Sequence, residues 1–166
     1  MSTDDDSPAL AAAKRIGTDV EALVVESVQA LRAVPDSAAE HYDAVAVQVI
    51  DGHAGTRLGG TPLLPRGAEV EIKAAREQTS NGSVNTPGRW YFRGGDTGQH
   101  ASLVQDAAYY ALAVYREGLN RVLLDVVLVP ASLVDELLRG RWYDSGNTDG
   151  QVAKLGWPSV FGGDDW

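Results

Sequence analysis

The chain has 166 residues, 44% of them hydrophobic and 22% charged. That is one ordinary domain's length and a near-average globular balance, which excludes wholesale disorder and fibrous repeats. Cysteine is absent, which removes disulfide frameworks, thiolate nucleophiles and cysteine-held zinc, so any metal must take oxygen or imidazole ligands. Fourteen basic against 23 acidic residues give a net charge of −9. No apolar run reaches the roughly 18 residues of a membrane span, and the N-terminus is acidic where a secretory signal is basic. The reading is a soluble cytoplasmic protein with no membrane partner.

The charge is unevenly spread. Arginine outnumbers lysine 11 to 3 and aspartate outnumbers glutamate 15 to 8, an acidic bias resembling proteins of salt-loaded cytoplasm. An acidic chain argues against a nucleic-acid partner, because phosphate neutralisation supplies most of that affinity. Residues 52–94, however, carry six basic and three acidic side chains, a net of +3, so the remainder carries −12.

In chain order, Ser7-Pro8 has the pattern of an N-cap followed by Pro at the first helical position, and Ala9 to Ile16 favours a helix that Gly17 interrupts. Thr18-Asp-Val-Glu21 has capping-box spacing, and Val20, Leu23, Val24, Val28 and Leu31 trace one apolar stripe, which predicts a second helix over 18–34. Asp43 to Asp51 alternates as a strand does, and Ala68 to Ala75 repeats that pattern with Glu69, Glu71 and Lys73 on one face. Between them lies a Gly/Pro/Thr-rich connection of 16 residues, 52–67. Residues 77–88 read as a flexible loop, Arg89 to Arg93 as a short aromatic strand, and 97–106 as a short helix. Tyr109–Tyr115 and Arg121–Val129 form a hairpin about Glu117–Asn120, and Ser132 caps a last helix to Leu138. From Arg141 onward little periodicity is left, with Trp157–Phe161 the part that docks. The expected organisation is a helical extension over 1–17, a domain over 18–140 and a tail over 141–166.

The two strands predict an antiparallel pair that sets Asp43 beside Glu71 and Lys73, with Asp51 at the far end. Two carboxylates converging at the rim of a sheet suit a hard divalent cation such as Mg2+ or Mn2+. A lysine two residues along the same face can serve a water, which is the equipment of metal-assisted phosphodiester hydrolysis. The plainer reading is that Glu69, Glu71 and Lys73 form the solvated face of an amphipathic strand.

His41-Tyr-Asp43-Ala-Val-Ala and Ala68-Glu-Val-Glu71-Ile-Lys73-Ala together resemble the PD-(D/E)XK nuclease superfamily, with Glu71-Ile-Lys73 as its E-x-K. The predicted order α, β, β, β, α, β follows that family's core. Tyr42 stands where the family often has proline, and the separation of Asp43 from Glu71 is longer than usual there. The resemblance implies an α/β, restriction-endonuclease-like fold with a mixed sheet of about five strands. It implies an Mg2+- or Mn2+-dependent endonuclease acting on DNA, with Asp43, Glu71 and the Ile72 carbonyl as metal ligands and Lys73 as the water-activating residue. A carboxylate from the first helix often completes such sites, and Glu21 and Glu26 are the candidates. Many members act as dimers, so a homodimer fits, although no interface is legible.

Arg57, Arg66, Arg76, Arg89 and Arg93 are the candidate phosphate contacts. Gln105-Asp-Ala-Ala-Tyr109 matches the Q-x-x-x-Y of one branch of the superfamily, but the alternation after Tyr109 places the helix end near Asp106. His41, His53 and His100 lack zinc-like spacing; His100 could face the site, and the helix bearing Gln99 and His100 reads mainly as scaffold. Two other classes stay open: a nuclease fold that binds without cutting, and an unrelated α+β interaction domain.

Overall fold

The computed structural model describes residues 8–52 and 56–162; Ser7 and His53 lie outside them. Helix α1 (Pro8–Ser27) precedes strands β1 (Leu31–Ala33), β2 (Ala44–Ala46), β3 (Ile50–Asp51), β4 (Arg57–Leu58), β5 (Leu63–Leu64) and β6 (Glu69–Arg76). There follow β7 (Gln78–Asn81), β8 (Val84–Pro87), β9 (Arg89–Arg93), α2 (Gln99–Gln105), β10 (Tyr109–Arg116) and β11 (Val122–Pro130). The order closes with α3 (Ala131–Leu137), β12 (Tyr143–Asp144), β13 (Gln151–Gly156) and α4 (Pro158–Phe161).

Six strands form the central sheet in the order β1-β2-β6-β10-β11-β4. It is mixed: β10 runs parallel to β6 and β4 parallel to β11, while the other neighbours are antiparallel. The fold is therefore α/β with a mixed, helix-flanked sheet, as in a restriction-endonuclease-like core. Strand β10 is apolar on both faces because both are covered. Ala111, Ala113 and Tyr115 join the core under α1 with Val20, Val24 and Val28. Tyr110, Leu112 and Val114 join a second core with Trp90, Phe92, Leu103, Leu155 and Trp157. Among the described residues no helix is long and apolar enough to cross a membrane.

Several local expectations are corrected. Helix α1 runs unbroken through Gly17 and ends at Ser27, and Leu31–Ala33 is a strand. Thr18 does not cap it; its hydroxyl donates to the Lys14 carbonyl one turn back, at 3.1 Å. A mid-helix glycine costs about 1 kcal/mol, less than the burial of the Val20, Val24, Val28 stripe provides. The expected strand 43–51 is two: β2 pairs with β1 and β6, then the chain leaves that sheet and β3 pairs with β5. The expected loop 77–88 is the hairpin β7–β8. Strand β9 is not in the central sheet but pairs with β13, which also carries β12, so residues after Arg141 supply the middle of a three-stranded second sheet. Ser132 sits inside α3, whose N-cap position is Pro130.

Candidate active site

The site assembles where β2 begins and β6 is half-way along. Asp43 directly precedes β2, whose register sets Ala44 against Val70. Its main-chain N–H donates to the Val70 carbonyl at 3.0 Å, and its Oδ2 accepts from the Ile72 N–H at 2.9 Å. Asp43 is thus fastened on both sides of Glu71. Because side chains alternate along a strand, Val70 and Ile72 enter the core under α1, while Glu71 and Lys73 take the other face.

There Lys73 Nζ lies 2.9 Å from Glu71 Oε1. It also donates to Oε1 of Gln99 at 3.1 Å. The Gln99 amide in turn donates to Glu71 Oε1 at 2.9 Å and to the His41 carbonyl at 3.3 Å. Gln99, assigned above to scaffold, is therefore the residue that sequence reasoning missed, and the available signal was its place at the start of a helix after Gly94 and Gly98. Gly94 has φ 69°, and a β-carbon on it would stand 2.4 Å from the Gln99 nitrogen; one on Gly98 would stand 2.5 Å from the Gly94 α-carbon. Only glycine at both positions lets α2 start so close to the strand before it.

Burial dominates the electrostatics. Glu71 is 6% exposed, and this burial pushes its pKa up to about 7 against the pull of Lys73, with Asp43 raising it further. Glu21 of α1 also rises to about 7, through burial first and then the charges of Asp43 and Asp36. An apolar surround disfavours the charged form, and neighbouring carboxylates add to the effect. Four acidic groups, Glu21, Asp36, Asp43 and Glu71, thus share a region with Lys14 and Lys73.

These groups line a cleft of about 900 Å3 that includes Glu21, Asp43, Glu71, Ile72, Lys73, Gln99 and, at its side, Tyr91 and Arg93. Of the two α1 carboxylates, Glu21 is the one in the cleft; Glu26 is exposed and outside it, because five residues along a helix turn a side chain by well over a quarter circle. Of the five arginines Arg93 alone lines the cleft. Arg57 pairs with Asp125 at 3.2 Å at the far edge of the central sheet. Arg76 bonds the Tyr115 hydroxyl at 3.3 Å, and Arg66 and Arg89 are exposed outside it. His100 does not face the site: its ring lies between the Tyr110 hydroxyl, 2.7 Å away, and Asp135, 3.0 Å away. Gln105 ends α2 and Tyr109 opens β10, so they do not share a helical face.

Among the described residues no three carboxylate or imidazole groups stand together as a complete metal cage. The cleft offers the Asp43 and Glu71 carboxylates, the Glu21 carboxyl and the main chain of Ile72. This all-oxygen set fits a hard divalent cation that keeps several waters. The crowding of acidic groups is also what a cation would relieve.

Comparison with curated proteins and with solved structures found no match. A family profile, described as a PD-(D/E)XK nuclease superfamily domain, matches residues 7–162. A match over nearly the whole length, on a mixed sheet that brings Asp43 to Glu71-Ile-Lys73, means that the chain belongs to the PD-(D/E)XK nuclease superfamily.

Proposed function

We propose that this protein is an Mg2+- or Mn2+-dependent nuclease that hydrolyses phosphodiester bonds in DNA. The observation that carries this reading is the convergence of Asp43, Glu71 and Lys73 in one cleft, with Lys73 Nζ 2.9 Å from Glu71, in a chain of a nuclease superfamily. Asp43, Glu71 and the Ile72 carbonyl hold the cation, and of the two α1 candidates Glu21, which lines the cleft, completes the set in place of Glu26. The bound cation supplies Lewis-acid stabilisation of the charge that builds on the phosphoryl oxygens.

The remaining work is done by the chain's own groups. Lys73, held between Glu71 and Gln99, presents its ammonium to the attacking water and to the phosphate oxygen beside it, so position and charge are fixed before substrate arrives. Gln99 keeps Lys73 from collapsing wholly onto Glu71, because its carbonyl accepts from the lysine while its amide donates to the carboxylate. Arg93, at the side of the cleft, contacts a phosphate of the bound strand.

The test is incubation of plasmid, single-stranded and branched DNA with the wild-type protein, across low to molar KCl, with Mg2+, Mn2+ or chelator. Metal-dependent cutting of at least one substrate is expected. A folded protein that cuts none of them under any of these conditions would overturn the proposal.

A further inference from the structure

Strands β9 and β13 leave an outer face on the second sheet that is polar around one buried residue, Val152. Residues opposite one another in an antiparallel pair share a face, and the register sets Lys154 against Tyr91, Arg93 against Val152, and Tyr143 against the same Val152. Arg89, two residues before Tyr91, falls on the same side. Trp90 and Phe92 point the other way and are fully buried. The outer face therefore interleaves Arg89, Arg93 and Lys154 with Tyr91 and Tyr143, which are 37% and 46% exposed. In a chain of net charge −9, this gathers three of the 14 basic residues with two open aromatic rings. Tyr91 and Arg93 also line the cleft that holds Asp43, Glu71 and Lys73, so the face runs directly into the site.

Resting on the nuclease reading above, we propose that this face is a platform for single-stranded DNA, which leads one strand into the cleft. Tyr91 and Tyr143 offer stacking surfaces that accept any base, and the guanidinium and ammonium groups between them meet successive phosphates. A duplex hides its base faces and gains nothing from exposed tyrosines, so the aromatic half of this surface selects for unpaired strands. A second feature supports the assignment. Asp149, in the turn between β12 and β13, accepts a hydrogen bond from the Tyr91 hydroxyl at 3.0 Å and lies 3.9 Å from Arg93. Its carboxylate thus stands between a phenol and a guanidinium, as a phosphate oxygen would. Exposed pairs of this kind are weak, so a strand can displace it, and Asp149 lowers affinity for DNA by competing for the same donors.

The test measures binding of a fluorescein-labelled oligothymidylate of about 15 nucleotides and of a duplex of equal length, with chelator present, to wild type, Tyr143→Ala, Arg89→Ala/Lys154→Ala and Asp149→Ala. These positions lie on the surface, and the chelator removes cleavage from the readout. The single strand is expected to bind wild type better than the duplex does. Tyr143→Ala is expected to weaken it about tenfold. The double variant lowers the slope of log affinity against log salt by about 0.7 per lost contact, and Asp149→Ala tightens binding severalfold. Equal affinities across the four proteins, or tighter binding of the duplex than of the single strand, would overturn the platform even if the protein cuts DNA. Single-strand binding with the expected pattern but no cleavage under any metal would support the platform and remove the nuclease reading.

Discussion

Asp43 grips the backbone on both sides of Glu71, giving its N–H to the Val70 carbonyl and taking the Ile72 N–H on its carboxylate at 2.9 Å. One side chain thus has two functions, a structural tie between β2 and β6 and a negative charge in the cleft. They separate by substitution. Asp43→Asn keeps an oxygen that accepts from Ile72 and removes the charge, so its stability stays within about 1 kcal/mol of wild type while Mn2+ binding by calorimetry and DNA cleavage are lost. Asp43→Ala loses both the tie and the charge, and is less stable than Asp43→Asn.

Glu71 is a buried carboxyl whose folded pKa of about 7 stands above its ordinary 4.5. Below pH 4.5 it is protonated in both states; as pH rises toward 7 the unfolded chain ionises first, and the metal-free protein loses stability. Glu71→Gln is isosteric and cannot ionise. In chelator, its stability relative to wild type is expected to grow with pH across that window by up to about 3 kcal/mol, read by urea denaturation. A pH-independent difference would show that burial is not the cause.

His100 is 1% exposed, and its burial lowers its pKa despite the Asp135 carboxylate beside it. The neutral ring donates from Nε2 to Asp135 and accepts the Tyr110 hydroxyl on Nδ1. Burial holds the Tyr110 phenol well above its usual range, so it remains a donor. As pH falls below 6.5 the unfolded chain takes up a proton that the folded ring resists, so the contribution of His100 to stability falls, opposite in sign to that of Glu71. His100→Phe removes this dependence and costs about 1–3 kcal/mol at neutral pH, because the Tyr110 hydroxyl loses its partner. Thermal denaturation from pH 8 down to about 5 checks both.

Helix α2 ends in a Schellman turn: the Ala108 N–H bonds the Leu103 carbonyl and the Ala107 N–H that of Val104. Ala107 pays for it with φ 52°, left-handed backbone that costs an L-residue about 1–2 kcal/mol. Ala107→Gly should raise stability by about 0.5–1 kcal/mol with cleavage unchanged, and a lower melting temperature would refute this reading of the turn.

The sequence carried those features that local patterns encode. Alternation marked β6, aromatic and β-branched content marked β9, β10 and β11, and the placement of an aspartate-led strand against Glu71-Ile-Lys73 followed from pairing alone. What it hid was tertiary. Gly17 and the capping spacing of Thr18 look like a helix boundary, yet the stripe that α1 buries carries the helix through both. The division of β2 from β3, and the pairing of β9 with β13 some 60 residues later, depend on partners that no local pattern names. Gln99 reaches the site because Gly94 and Gly98 allow their backbones to touch. The choice of Glu21 over Glu26 needs the angle at which α1 crosses the sheet.

The most direct measurement compares DNA cleavage rates of wild type, Lys73→Ala and Glu71→Ala side by side with Mn2+, with circular dichroism confirming that all three are folded. Metal-dependent cleavage by wild type, lowered at least about a hundredfold in both variants, is the expected result. Cleavage by folded Lys73→Ala or Glu71→Ala at the wild-type rate would contradict the assignment of this cleft as the hydrolytic site.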